Sequence, residues 1–170
     1  MRRFIALSIS ALLLTGCAST PQANSQFSAA DIGFAEMMIP HHEQAVLMSD
    51  IALTNSSSEE ILSLAQEIKA AQAPEIEQMK SWPGVSTPTH MGHMMGGMLS
   101  DEEIQQLRDS EGSTFDRLFL EGMIAHHQGA ITMAQMVARS ANKEVAALAA
   151  AIIEAQKREI AFMQELVKFY

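Results

Sequence analysis

The chain has 170 residues, with 20 acidic against 11 basic side chains, a formal net charge of −9 and a single cysteine. That length suffices for one domain with a real core and some accessory segments. The negative balance argues against nucleic acid as a partner, and a lone cysteine excludes both an intramolecular disulfide and a thiolate metal site.

The N-terminus does not belong to that domain. Met1-Arg2-Arg3 is a short basic start, Phe4 to Leu14 is an apolar run too short to span a bilayer, and Leu14-Thr15-Gly16-Cys17 ends it with small residues before the cysteine. The pattern predicts an export signal over residues 1–16. Its ending resembles the bacterial lipoprotein signal, which implies cleavage before Cys17, acylation there, and a lipid anchor facing the periplasm or the outside. In such an oxidising compartment, histidine and methionine keep their capacity to bind metal where a thiolate would be oxidised. Residues 17–30, rich in Ser, Ala, Gln and Pro, read as a flexible tether.

From residue 31 the pattern becomes helical. Asp31 can cap a helix to about Leu53, with Ile32, Ala35, Met38, Ile39, His42, Ala45 and Val46 on one stripe. Pro40 removes an amide donor inside it and predicts a kink. Ser57 with Glu60 forms a capping box for a second helix to about Lys80, whose stripe includes Ile61, Leu64, Ala65, Ile68, Gln72, Ile76 and Met79. A turn this short makes the two helices antiparallel neighbours.

Residues 81–99 break all periodicity and offer nothing from which a core could be built. Ser100 with Glu103 opens a short helix to about Arg108. Ser113 or Thr114 then caps a third long helix to about Arg139, and Asn142 opens a fourth to about Phe169.

The chain is internally duplicated. Glu36-Met37-Met38-Ile39-Pro40-His41-His42 with Ala45 and Met48 recurs as Glu121-Gly122-Met123-Ile124-Ala125-His126-His127 with Ala130 and Met133, and Ala71-Gln72 with Glu75, Ile76 and Met79 recurs as Ala155-Gln156 with Glu159, Ile160 and Met163. Each half is therefore one helical hairpin. The domain divides into hairpin 31–82, a Met/His-rich linker 83–112 and hairpin 113–170, and two such hairpins predict an all-α four-helix bundle.

All six histidines fall in three clusters with methionine beside them: Met38, His41, His42 and Met48; His90, Met91, His93, Met94 and Met98; and Met123, His126, His127 and Met133. On a helix, Met38 and Met123 stand one turn from the His pairs on the same face. Thioether and imidazole together are a ligand set for a soft ion, copper(I) above all, with copper(II) also accommodated. Adjacent helical residues point about 100° apart, so one His of each pair is expected to ligate while the other makes a supporting contact. Met79 and Met163 could supplement the site or merely fill the core. An enzyme is not expected. Di-iron carboxylate bundles need Glu-x-x-His spacing, whereas Glu36 and Glu121 each stand five residues before the first His, and no nucleophile motif or phosphate loop is present. A metal-dependent oxidase and a metal-free adaptor lipoprotein are the alternatives.

At Met38-Ile39-Pro40-His41-His42 and again over Phe115 to His127, the chain resembles the bacterial domain-of-unknown-function 305 family, over roughly Asp31 to Tyr170. The resemblance implies an exported ferritin-like four-helix bundle and, as in relatives of the CopM type, copper binding linked to copper tolerance. The positions it carries onto this chain are Met38, His41, His42, Met123, His126 and His127. Ala125 departs from the usual proline. The implied partners are copper ions, a membrane through Cys17 and a copper-transfer protein.

Overall fold

Among the residues that the structure describes, five α-helices follow from where the chain satisfies its first free amides. The computed structural model describes residues 26–86 and 95–170. Ser28 caps α1 (Ala29–Asn55), its hydroxyl accepting from the Asp31 amide while the Asp31 carboxylate accepts from the Ser28 amide at 2.8 Å. Asp31 is thus the far partner of a capping box rather than the cap. Phe27 and Ser28, on the tether side of residue 31, take part in the fold. Ser58, not Ser57, caps α2 (Glu59–Lys80) through the Ile61 amide, because Ser56 is held by Asp116 at 2.5 Å and itself accepts from the Ser58 amide, which delays the helix by one residue.

The capping box of Ser100 and Glu103 opens α3 (Asp101–Asp109) as expected. α4 (Gly112–Val137) begins earlier than Ser113 or Thr114 would set it and has no side-chain cap. Gly112 has φ +56°, a backbone state that glycine adopts freely, and this turns the chain out of α3 at once. Asn142 accepts from the Glu144 and Val145 amides and opens α5 (Lys143–Leu166), which ends in a 3-10 turn over Val167–Phe169. α1 runs unbroken through Pro40 and α2 through Pro74. Among the described residues no strand occurs, and no helix is long and apolar enough to cross a membrane.

α1 packs on α2 and α4 on α5, and the two hairpins meet chiefly along α1 and α4. Two buried aspartates set the direction of that contact. Asp31, at the head of α1, bonds Ser140 in the α4–α5 turn, and Asp116, near the head of α4, accepts from Ser56 in the α1–α2 turn. α1 and α4 are therefore antiparallel, and an approximate twofold relates the halves. Burial alone would raise the Asp31 carboxyl, but hydrogen bonds from Ser28 and Ser140 outweigh it and hold the pKa below its usual value.

Two apolar clusters result. One joins the C-terminal half of α1 to the N-terminal halves of α2 and α4, with Ile104 and Leu107 of α3 over its end. The other joins the N-terminal half of α1 to the ends of α2 and α4 and the start of α5. The aperiodic segment 81–99 contributes to both, contrary to the expectation that no core could be built from it. Trp82 is buried against Phe27 and Phe34, with ring centroids at 5.0 and 6.5 Å, and Leu99 lies in the first cluster. A single large apolar residue at the end of a helix can dock on a finished core without producing any period.

Candidate metal centre

The antiparallel crossing of α1 and α4 brings the two His pairs together between the apolar clusters. His41, His42, His126 and His127 are all fully buried. The His41 and His126 rings lie across the crossing, centroids 3.7 Å apart and planes 37° from parallel, whereas the rings within each pair are 6.5 and 6.3 Å apart. Each pair thus splits in two directions, as the 100° helical step requires. His41 and His126 face the other hairpin, and His42 and His127 face their own return helix.

The Nε2 atoms all meet oxygen. His42 Nε2 is 2.9 Å from Glu75 Oε2, His127 Nε2 is 2.5 Å from Glu159 Oε2, His126 Nε2 is 2.8 Å from the His41 carbonyl, and His41 Nε2 is 3.4 Å from the Gly96 carbonyl. Carbonyls and carboxylates only accept, so each Nε2 carries the proton and the lone pair of a neutral ring sits on Nδ1. All four Nδ1 atoms are buried with no hydrogen-bond partner. A buried acceptor facing no donor is costly, and four related ones in a single layer are the arrangement that a bound cation would relieve. Burial pushes the His41 pKa down to about 3, helped by the nearby His42, and burial followed by the proximity of His41 holds His126 well below its ordinary value. Both rings are neutral at physiological pH, which is the form that binds metal.

The thioethers flank this layer. Met38 and Met133 lie in one apolar cluster, Met48 and Met123 in the other. Met38 and Met123 are fully buried one turn from the His pairs. Met48 and Met133 stand seven residues beyond His41 and His126, about 10 Å along the helix axis, too far to share an ion with those rings. Among the described residues no three His, Cys, Asp or Glu side chains stand where they could hold an ion.

The end of the Met/His-rich linker closes over the layer. Gln44 grips Leu99 twice, its Nε2 donating to the Leu99 carbonyl and its Oε1 accepting from the Leu99 amide, both at 2.8 Å. Gly96 then lies directly on Gly129 of α4 and meets His41, and Gly97, with φ +86°, lies on the Ala125 carbonyl. Met98 is half-buried and lines a groove of about 300 Å³ with Gly122 and Ala125, outside the buried layer. His90, Met91, His93, Met94 and Cys17, with the export signal, lie outside the described residues.

Two positions that contact the histidines escaped the spacing argument. Glu75 and Glu159 were visible only as part of the repeated Gln-x-x-Glu on the return helices. Their pairing with His42 and His127 depends on the register between helices, which no periodicity encodes. Gln72 and Gln156, one turn away, are buried with both amide atoms unpartnered.

The sequence profile of the family described as "Domain of unknown function (DUF305)" matches residues 31–167. An inferred secreted DUF305 protein from Streptomyces coelicolor is 35% identical, with a TM-score of 0.74 over 81% of this chain and 91% of that one. CopM in its copper(I)-bound form is 31% identical, with a TM-score of 0.70 over 84% of this chain and 97% of that one. In its copper(II)-bound form it is 33% identical, with a TM-score of 0.72 over 82% and 97%. No curated protein matches the chain.

Proposed function

The chain belongs to the DUF305 family, and from that premise we propose that it is a copper-binding protein that sequesters copper(I), or passes it on, in copper homeostasis. The observation that carries this reading is the layer of four buried imidazoles whose Nδ1 atoms have no hydrogen-bond partner, with Met38 and Met123 one turn away. Imidazole with thioether is a soft set that favours copper(I) over harder divalent ions. The copper-bound forms of CopM, similar over most of the chain, support the same choice of ion.

On this reading the protein's work is binding rather than catalysis, and the paired hairpins form a ferritin-like four-helix bundle. Glu75 and Glu159 accept the Nε2 protons of His42 and His127, which fixes the tautomer and keeps Nδ1 free for metal. The apolar clusters on either side keep water off the ion. His90, Met91, His93, Met94 and Met98 would offer a second, looser set of soft donors. The basic-apolar start ending at Cys17 supports export and a lipid anchor, which would place the domain where it could meet a copper-transfer partner. A loss of affinity below about pH 6, the ordinary expectation for imidazole, does not apply to His41 and His126, because burial keeps them neutral far below that pH.

Two measurements test the reading. In a titration with cuprous ion against a chromophoric chelator, the His42→Ala, His127→Ala double variant is expected to bind fewer ions than the parent while retaining its helical circular dichroism; an unchanged count would remove the layer as the site. Glu75→Gln and Glu159→Gln should each weaken copper by about 10- to 100-fold, the usual effect of losing the group that orients a ligating imidazole. An affinity equal to the parent's would show that the carboxylates do not tune the rings.

A further inference from the structure

We infer that the duplication builds two separate copper(I) sites, one inside each hairpin, and that Met79 and Met163 on the return helices complete them. The inference rests on the copper reading above and adds ligands and stoichiometry to it. The register argument begins from His42 and Glu75, whose side chains meet at 2.9 Å and so place those two residues level on antiparallel helices. Met38 is four residues before His42 on α1, and Met79 is four residues after Glu75 on α2. Moving one turn in opposite sequence directions along antiparallel helices is moving the same way in space, so Met38 and Met79 share a level about 6 Å from the histidine. The second hairpin repeats this. His127 and Glu159 meet at 2.5 Å, Met123 is four residues before the one, and Met163 is four residues after the other.

All four methionines are completely buried, Met38 and Met79 in one apolar cluster and Met123 and Met163 in the other. Helical side chains lean toward the N-terminus of their own helix, so the His42 ring leans over the turn that carries Met38, and the His127 ring over the turn that carries Met123. With each Nε2 turned to its glutamate, the unpartnered Nδ1 is the ring atom left for an ion. Each hairpin then offers one imidazole nitrogen and two thioether sulfurs, a three-donor soft set. A single ion shared at the crossing is disfavoured, because His41 and His126 are already packed ring on ring at 3.7 Å and their nearest methionine levels diverge into opposite clusters.

Met79→Leu and Met163→Leu keep apolar volume but remove the sulfur, a change that a methionine serving only as core filler tolerates. The full chain would be titrated with cuprous ion against a chromophoric chelator, and the sulfur coordination of bound copper read by X-ray absorption. Each single variant should weaken one ion at least tenfold and the double variant two, with the average number of sulfur neighbours per copper falling. Any ions held by the linker cancel in the comparison with the parent. Parent-like affinity, ion count and sulfur coordination in both single variants would overturn the assignment of Met79 and Met163, and both variants weakening the same single ion would overturn the two-site arrangement. Either result leaves copper binding itself standing. A parent chain that binds no cuprous ion would overturn the functional reading and this inference together.

Discussion

Replacing Gly129 with alanine is expected to lower the stability of the metal-free protein by about 2 kcal/mol, the middle of the range for forcing a methyl into a filled site. A Cβ at that position would overlap the Gly96 carbonyl, with the Gly96 carbon at 2.7 Å and His41 Nε2 at 3.1 Å. Both backbone neighbours are fixed, so the linker must lift away. Lifting it strains the two Gln44–Leu99 hydrogen bonds, worth about 1 kcal/mol each, exposes Leu99 and removes the acceptor from His41 Nε2. Alanine's helix propensity works the other way by about 1 kcal/mol and is outweighed. For a chain of this size the loss corresponds to a melting temperature lower by about 6 °C. Thermal unfolding would check it, and hydrogen exchange at the Leu99 amide should accelerate in the variant. A melting temperature at or above the parent's would mean that Gly96 is not held against α4.

Acid should destabilise the metal-free protein steeply. His41 titrates at about 3 in the fold and His126 well below its ordinary value, while both return to about 6.5 in the unfolded chain. Between those limits the unfolded state binds protons that the folded state refuses, so stability rises with pH. The stabilisation is fully present above pH 6.5 and is lost as the pH falls toward the folded values. The slope approaches about 1.4 kcal/mol per pH unit for each histidine, or nearly 3 for the two. Asp31, whose pKa is also lowered, adds loss in the same direction in the carboxylate range. Urea unfolding midpoints at pH 7, 6, 5 and 4 should drop progressively, and bound copper(I), which favours the folded state by mass action, should hold the midpoint higher at each pH. A flat midpoint from pH 7 to 5 would contradict the burial of these two rings as neutral groups.

How much of this was legible in the sequence varies from element to element. Ser100 with Glu103 and Asn142 were read correctly as caps because their partners lie within three residues. At Ser58 the cap moved, since Ser56 is claimed by Asp116 far along the chain, whereas at Ser28 the capping box with Asp31 is local and starts the helix two residues ahead of Asp31. Trp82 and Leu99 sit in segments without period, yet each is buried. The His and Met positions were evident from repetition, but their use of Nε2 was not, because it depends on which return-helix residue arrives opposite.

The sequence by itself determined the duplication, the helical hairpins, the grouping of histidine with methionine and the family, since all of these are local patterns or repeats of them. Only the tertiary structure decided that α1 and α4 cross so that His41 packs on His126, that Glu75 and Glu159 meet the Nε2 atoms of His42 and His127, and that Gly96 lies on Gly129. Those outcomes depend on the register and direction in which distant helices pack, and that is set by the fit of whole apolar faces and by buried tethers such as Asp116 to Ser56 rather than by any local spacing.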